Sequence, residues 1–140
     1  MQLFELKIGE QVIPLKWGTY AMKLYTDRTK SSIDDFFNII ERMAKTGSGE
    51  TIENPVTQHE VFVFIENTIH AGYRAANKQH IDEESVCDWI DACGGVGNLA
   101  TGQLMEYLNY VIRLTFAGYT PLPSAGEEKK SEVTEPGTTS

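Results

Sequence analysis

The chain has 140 residues, 41% hydrophobic, 10% aromatic and 23% charged, which suits one globular domain with a real core and no need of staples. Twelve Lys and Arg stand against 20 Asp and Glu, a net charge of −8, and so acidic a surface disfavours nucleic acid and anionic membranes as partners. No apolar run reaches the roughly 18 residues of a membrane helix, Met1-Gln2-Leu3-Phe4-Glu5 does not read as a signal peptide, and two cysteines are too few for a disulfide scaffold.

The first 16 residues predict a β-hairpin. Leu6 and Ile8 alternate with Glu5 and Lys7, Gly9-Glu10 forms the turn, and Val12, Ile13 and Leu15 return. Gly9 can supply the positive φ of a two-residue II′ turn, and Pro14 withholds a ladder donor, which places the second strand short or at an edge. From Trp17 the period becomes helical. Thr19 is the expected cap of a short helix carrying Tyr20, Leu24 and Tyr25 and ending near Asp27-Arg28-Thr29.

Ser32, three residues before Asp35, opens a second helix with Ile33, Phe36, Phe37, Ile40, Met43 and Ala44 at helical spacing, stopped by Gly47-Ser48-Gly49. Thr57 and Glu60 form a capping box at the head of the longest helix, about 57–77. Its apolar arc is wide, which predicts a central helix touched on several sides. Asp82 caps a shorter helix with Val86, Trp89, Ile90 and Cys93 inside, closed by Gly94-Gly95. The last helix starts near Thr101, with Leu104, Leu108, Val111, Ile112 and Thr115 on one face and Tyr107, Tyr110 and Leu114 on a second; Gly118 to Pro123 ends it.

These elements predict an α+β, predominantly α-helical fold: an N-terminal hairpin (1–16) and about five helices (17–118) in a single globular domain, 1–120. A polar tail, 121–140, lacks the apolar residues needed to offset ordering and is expected to be disordered.

Chemistry-bearing constellations are sparse. His59 and His70 share a helix but lie some 16 Å apart along its axis, too far to hold one metal ion, and His80 sits in the following break; all three are expected to face solvent. Cys87 and Cys93 are six residues apart in one helix, cannot bridge within it, and read as reduced thiols of a cytoplasmic protein. The carboxylates of Asp82, Glu83, Glu84, Asp88 and Asp91 suit a dipole-matched helix start with a solvated face rather than a calcium loop. Gly94-Gly95-Val96-Gly97 lacks the Lys and Ser/Thr of a phosphate loop. No enzymatic activity, cofactor or metal is therefore expected.

Two tryptophans, six tyrosines and six phenylalanines are many for a small helical domain. Most can fill the core, but amphipathic aromatics are favoured at interfaces, and Tyr107, Tyr110, Trp89, Tyr20 and Trp17 are the candidate partner-binding residues. The expected receptor is an apolar groove built by the long helix, the Trp89 helix and the last helix, with Tyr107 and Tyr110 at its rim.

The run Glu84-Ser85-Val86-Cys87-Asp88-Trp89-Ile90-Asp91 followed by Gly94-Gly95, together with Trp17-Gly18-Thr19-Tyr20-Ala21-Met22-Lys23 after a hairpin and Ile33-Asp34-Asp35-Phe36-Phe37, resembles the tail assembly chaperones of long-tailed bacteriophages from about Leu3 to Phe116. The resemblance implies a non-enzymatic protein of the infected host's cytoplasm, absent from the mature virion. It implies that the protein binds the long, helical, partly apolar tape measure protein and keeps it soluble while tail tube protein polymerises around it. Self-association into a homo-oligomer, and a frameshifted long form beyond the polar tail, belong to the same family pattern. Two other readings stay open at this level: a virion structural adaptor or head–tail connector, which would be found in purified particles, and an acidic inhibitor of a host factor, which would gather its carboxylates on one surface.

Overall fold

A computed structural model describes residues 2–116. Two strands, β1 (Phe4–Ile8) and β2 (Gln11–Leu15), pair antiparallel with Leu6 opposite Ile13 and Phe4 opposite Leu15. Gly9 turns the chain at φ +62°, the role expected of it. The alternation buries Leu6, Ile13 and Leu15 on one face and leaves Glu5, Lys7 and Val12 outward. Both edges of the ribbon are occupied. On β1 the Gln103 amide donates to the Lys7 carbonyl (2.8 Å) and accepts from its N–H (2.7 Å). On β2 the Pro14 carbonyl accepts from Asn77 Nδ2 at 3.1 Å, and Lys16 N–H then donates to the Gly72 carbonyl at 3.0 Å.

Five α-helices follow: α1 (Thr19–Thr29), α2 (Ile33–Gly47), α3 (Gln58–Asn77), α4 (Glu83–Ala92) and, after a short 3₁₀ turn, α5 (Gly102–Thr115). The hairpin and helices bear out the α+β, mainly helical reading; the polar tail from 121 lies outside the described residues. Reciprocal capping boxes form at Ser32–Asp35 and Thr57–Glu60, and the Asp82 side chain accepts from Ser85 N–H at 2.8 Å. Thr19 is a correction. Gly18 occupies the N-cap and Thr19 is the first helical residue; the Gly18 carbonyl accepts from Met22 N–H at 3.0 Å, and no side chain caps the end.

Helix α3 is the axis of the fold. It touches β2, α1, α4 and α5, and α5 in turn lies against β1. Phe64, Ile65 and Ile69 are buried on it, each worth about 1.5–3 kcal/mol relative to an exposed side chain. Gly72 sits in its middle, where glycine costs roughly 1 kcal/mol relative to alanine. The reason is a close approach. The Tyr107 hydroxyl donates to the Thr68 carbonyl at 2.6 Å, and a Cβ at residue 72 would collide with that oxygen.

Arg42 ties α2 to the start of α3. Its guanidinium grips both Glu60 oxygens at 2.8 Å and also donates to the Asn54 and Pro55 carbonyls of the connecting loop. The Arg42 hydrogen bonds, and after them the Thr57 backbone N–H, lower the Glu60 pKa to about 2. The unfolded chain protonates this carboxyl near 4.5, so its stabilisation is whole above that pH and is lost as pH falls toward about 2. Glu60→Gln is expected to flatten the acid limb of the stability curve across that window. Urea unfolding at a series of pH values checks this, and an unchanged slope would contradict it.

Candidate functional site: an apolar groove between α2 and α5

Three of the five expected partner-binding residues are core. Trp17 is 1% exposed; its ring stacks on Phe36 at 5.8 Å and its Nε1–H donates to Thr115 Oγ1 at 3.0 Å. Tyr107 is fully buried against Phe4, with ring centroids 5.3 Å apart. Tyr110 is 3% exposed; its hydroxyl accepts from Trp17 N–H at 3.1 Å and donates to the Gln2 carbonyl at 2.8 Å. Burial raises both tyrosine pKa values, so both hydroxyls stay protonated and able to donate. These rings are therefore not at a rim. The hairpin folds over the very side of α5 that the helical wheel leaves open, and backbone groups satisfy the hydroxyls that would otherwise need water.

The other two are accessible but stand apart from the groove described below. Trp89 is half-buried with its ring 5.5 Å from that of Tyr73 on α3. Tyr20 is 51% exposed, with the Lys78 ammonium 5.6 Å from its ring centroid. His59 and His80 face solvent as expected, but His70 does not. It is 5% exposed, its Nδ1 has no hydrogen-bond partner, and burial first, then the Arg28 charge, lowers its pKa. The cause is again α3's central position. Arg28 of α1 reaches across it, bonding Asn67 at 2.7 Å and Glu83 of α4 at 2.9 Å, so the polar stripe of α3 is covered too.

A groove of about 520 Å³ runs between α2 and α5, over the first turn of α3. Ile40, Met43 and Ala44 form one wall, Met105, Leu108 and Ile112 the other, and Val61 lies at the base. The expected groove had α4 where the structure has α2; α4 packs on α3 and lends no residue to the lining. At one end Phe37 and Phe116 stack at 5.6 Å, both more than a third exposed. At the other end Gly47 and Ala100 leave the lining low. The two walls therefore run antiparallel. The signal for this site lay in α2, where Ile33, Phe37, Ile40, Ala44 and Gly47 are spaced 4, 3, 4 and 3, a stripe wider than the core consumes.

A second cleft of about 350 Å³ between α1, α2 and α3 contains Tyr25, Asp35 and Glu60. Its carboxylates are engaged, Asp35 in the α2 cap and Glu60 with Arg42, and the Tyr25 pKa is raised to about 12, by burial first and then by Asp35. Among the described residues no group of three or more His, Cys, Asp or Glu side chains is placed to hold a metal ion, and no helix is long and apolar enough to cross a membrane. No family model, curated protein or solved structure matches this chain.

Proposed function

We propose that the chain is a non-catalytic tail assembly chaperone of a long-tailed bacteriophage, which binds the tape measure protein in the host cytoplasm and keeps it soluble until tail tube protein encloses it. The observation that carries this reading is the groove: an apolar trough between two helices is the usual receptor for the apolar face of a third. The resemblance in the runs 17–23, 33–37 and 84–91 supports the family, and the net charge of −8 suits a holdase that must stay dispersed while covering a greasy client. The client face is assigned to α2 and α5, and the buried Trp17, Tyr107 and Tyr110 are assigned to holding the fold.

Coexpression with tape measure segments tests the reading. Ala44 is exposed on the groove wall, so Ala44→Arg places a charge in the trough without disturbing the core. Copurification of the tape measure segment is expected to fall by roughly tenfold or more, the scale of an unpaired charge forced against an apolar face, with the melting temperature unchanged. Equal recovery would remove the groove from the client site. Stoichiometric protein in purified particles would instead favour a structural adaptor.

A further inference from the structure

We propose that His70 is an acid-sensitive latch on α4: when its ring takes up a proton, α4 and the 78–82 connection come away from α3 while the rest of the fold stays closed. The inference holds whatever the groove binds. His70 is 5% exposed and lies under the chain that enters α4. The Ile81 backbone hydrogen-bonds its ring, and the buried Nδ1 has no partner among the described residues. A neutral ring leaves only an acceptor unmet there. A charged ring has a donor on both nitrogens, and the unmet one then carries charge. The surrounding groups make the same choice. Arg28 of α1 and Arg74, one turn along α3, both oppose a second cation. Glu83 of α4 favours one, but its Oε2 is already held by Arg28 at 2.9 Å. Glu66, one turn back on α3, faces the same Arg28 and Glu83. The end of β2 and α5 meet α3 elsewhere, at Gly72 and Thr68, and no charged group of theirs acts on the ring. Burial first, then Arg28, accordingly holds the His70 pKa below the ordinary 6.5.

The element that has to move is lightly anchored. Helix α4 spans 10 residues, of which only Val86 and Ile90 are buried, and α3 is the one element it packs on extensively. Its last turn holds no basic residue to offset the helix dipole. Backbone pivots bracket it, Lys78 at φ +57° on one side and Gly94 at φ +124° on the other. Such an element opens before the whole domain does. Opening carries His70 into water, where its pKa returns to 6.5. Below that pH the open form binds more protons than the closed one, so its population rises by up to about tenfold per pH unit until the closed ring also titrates. The surface uncovered is Val86, Ile90 and the Trp89–Tyr73 ring pair. Glu66 has the opposite sign. Burial, then Glu83, raises its pKa, so the closed form takes up that proton first and falling pH favours closure there.

Amide hydrogen exchange on the full chain tests the latch, run from about pH 7.5 to about pH 5.5 and with low concentrations of urea. Each rate is expressed as a protection factor, which removes the intrinsic pH dependence of exchange. Amides of α4 are expected to be less protected than those of α5 and to respond more weakly to urea. Below pH 6.5 they should lose protection by up to about tenfold per pH unit. His70→Gln can still donate to the Ile81 backbone but cannot become charged, so it should keep the local opening and flatten its pH response. Glu66 is present in both chains, and its contribution cancels in the comparison. The His70 Cε1–H resonance of the parent chain should titrate below 6.5. A pH response that survives His70→Gln would overturn the proposal, and so would a ring that titrates at or above 6.5. The same holds if α4 amides respond to urea as strongly as those of α5, since α4 would then open only with the whole domain. Should His70→Gln fail to fold, the ring titration and the urea response of the parent chain each decide the matter.

Discussion

Gly72→Ala is expected to destabilise the protein by about 2 kcal/mol, and adding Tyr107→Phe to recover most of that loss. Alanine in a helix interior normally gains roughly 1 kcal/mol over glycine. Here its methyl meets the Tyr107 hydroxyl oxygen, which is held in place by the Thr68 carbonyl at 2.6 Å. Tyr107 is fully buried, so its ring has nowhere to retreat. Tyr107→Phe alone forfeits one buried hydrogen bond, a cost of about 1 kcal/mol. With both changes the methyl fills the space the hydroxyl leaves, and its next neighbours, Tyr107 Cζ at 3.4 Å and Leu15 Cβ at 3.5 Å, lie at or near ordinary contact distance. A double-mutant cycle by urea unfolding measures the coupling; additive losses would show that the hydroxyl does not dictate the glycine.

The larger effect belongs to Trp17. Trp17→Ala should cost about 3–5 kcal/mol, the range for truncating a buried aromatic, out of a typical total of about 5–15. The indole stacks on Phe36 and meets the edge of Tyr25 at 6.4 Å. Its Nε1–H reaches Thr115, and its backbone N–H reaches the Tyr110 hydroxyl. Removing it opens a cavity where the hairpin, α1, α2 and the end of α5 converge. Trp17→Phe, which keeps most of the ring but loses the bond to Thr115, should fall between the two. Thermal melts and near-ultraviolet circular dichroism check both; a Trp17→Ala chain that melts like the parent yet loses its client would place this residue at a surface after all.

What could be read from the sequence was what is decided locally. The Ser32, Thr57 and Asp82 caps each rest on a side chain bonding a backbone group three residues away, so the pattern and the bond are nearly one fact. The hairpin turn at Gly9 is equally local. The burial of Tyr110 is not legible locally because its partners, Gln2 and Trp17, are 108 and 93 residues distant, and a helical wheel cannot say which neighbour covers its flank. The burial of His70 is hidden for the same reason: Arg28, whose charge acts on it, comes from another helix. The groove falls in between. The surplus apolar stripe on α2 was visible in the spacing, but that α5 rather than α4 faces it is a property of the packing.

Arg42 has a consequence for how the groove would work. Its bonds to Asn54 and Pro55, with the Val56 N–H donating to Thr46 Oγ1 at 3.2 Å, hold the stretch leading into Val56 and Thr57, two residues of the groove lining. If the groove is occupied as proposed, a wall stitched in this way would lose little conformational entropy, and more of the contact energy would survive as affinity. The same arginine ties this wall to acidity: as pH falls toward about 2, Glu60 takes up a proton and the charge that pairs with Arg42 is lost, while the bonds of Arg42 to the Asn54 and Pro55 carbonyls do not depend on it.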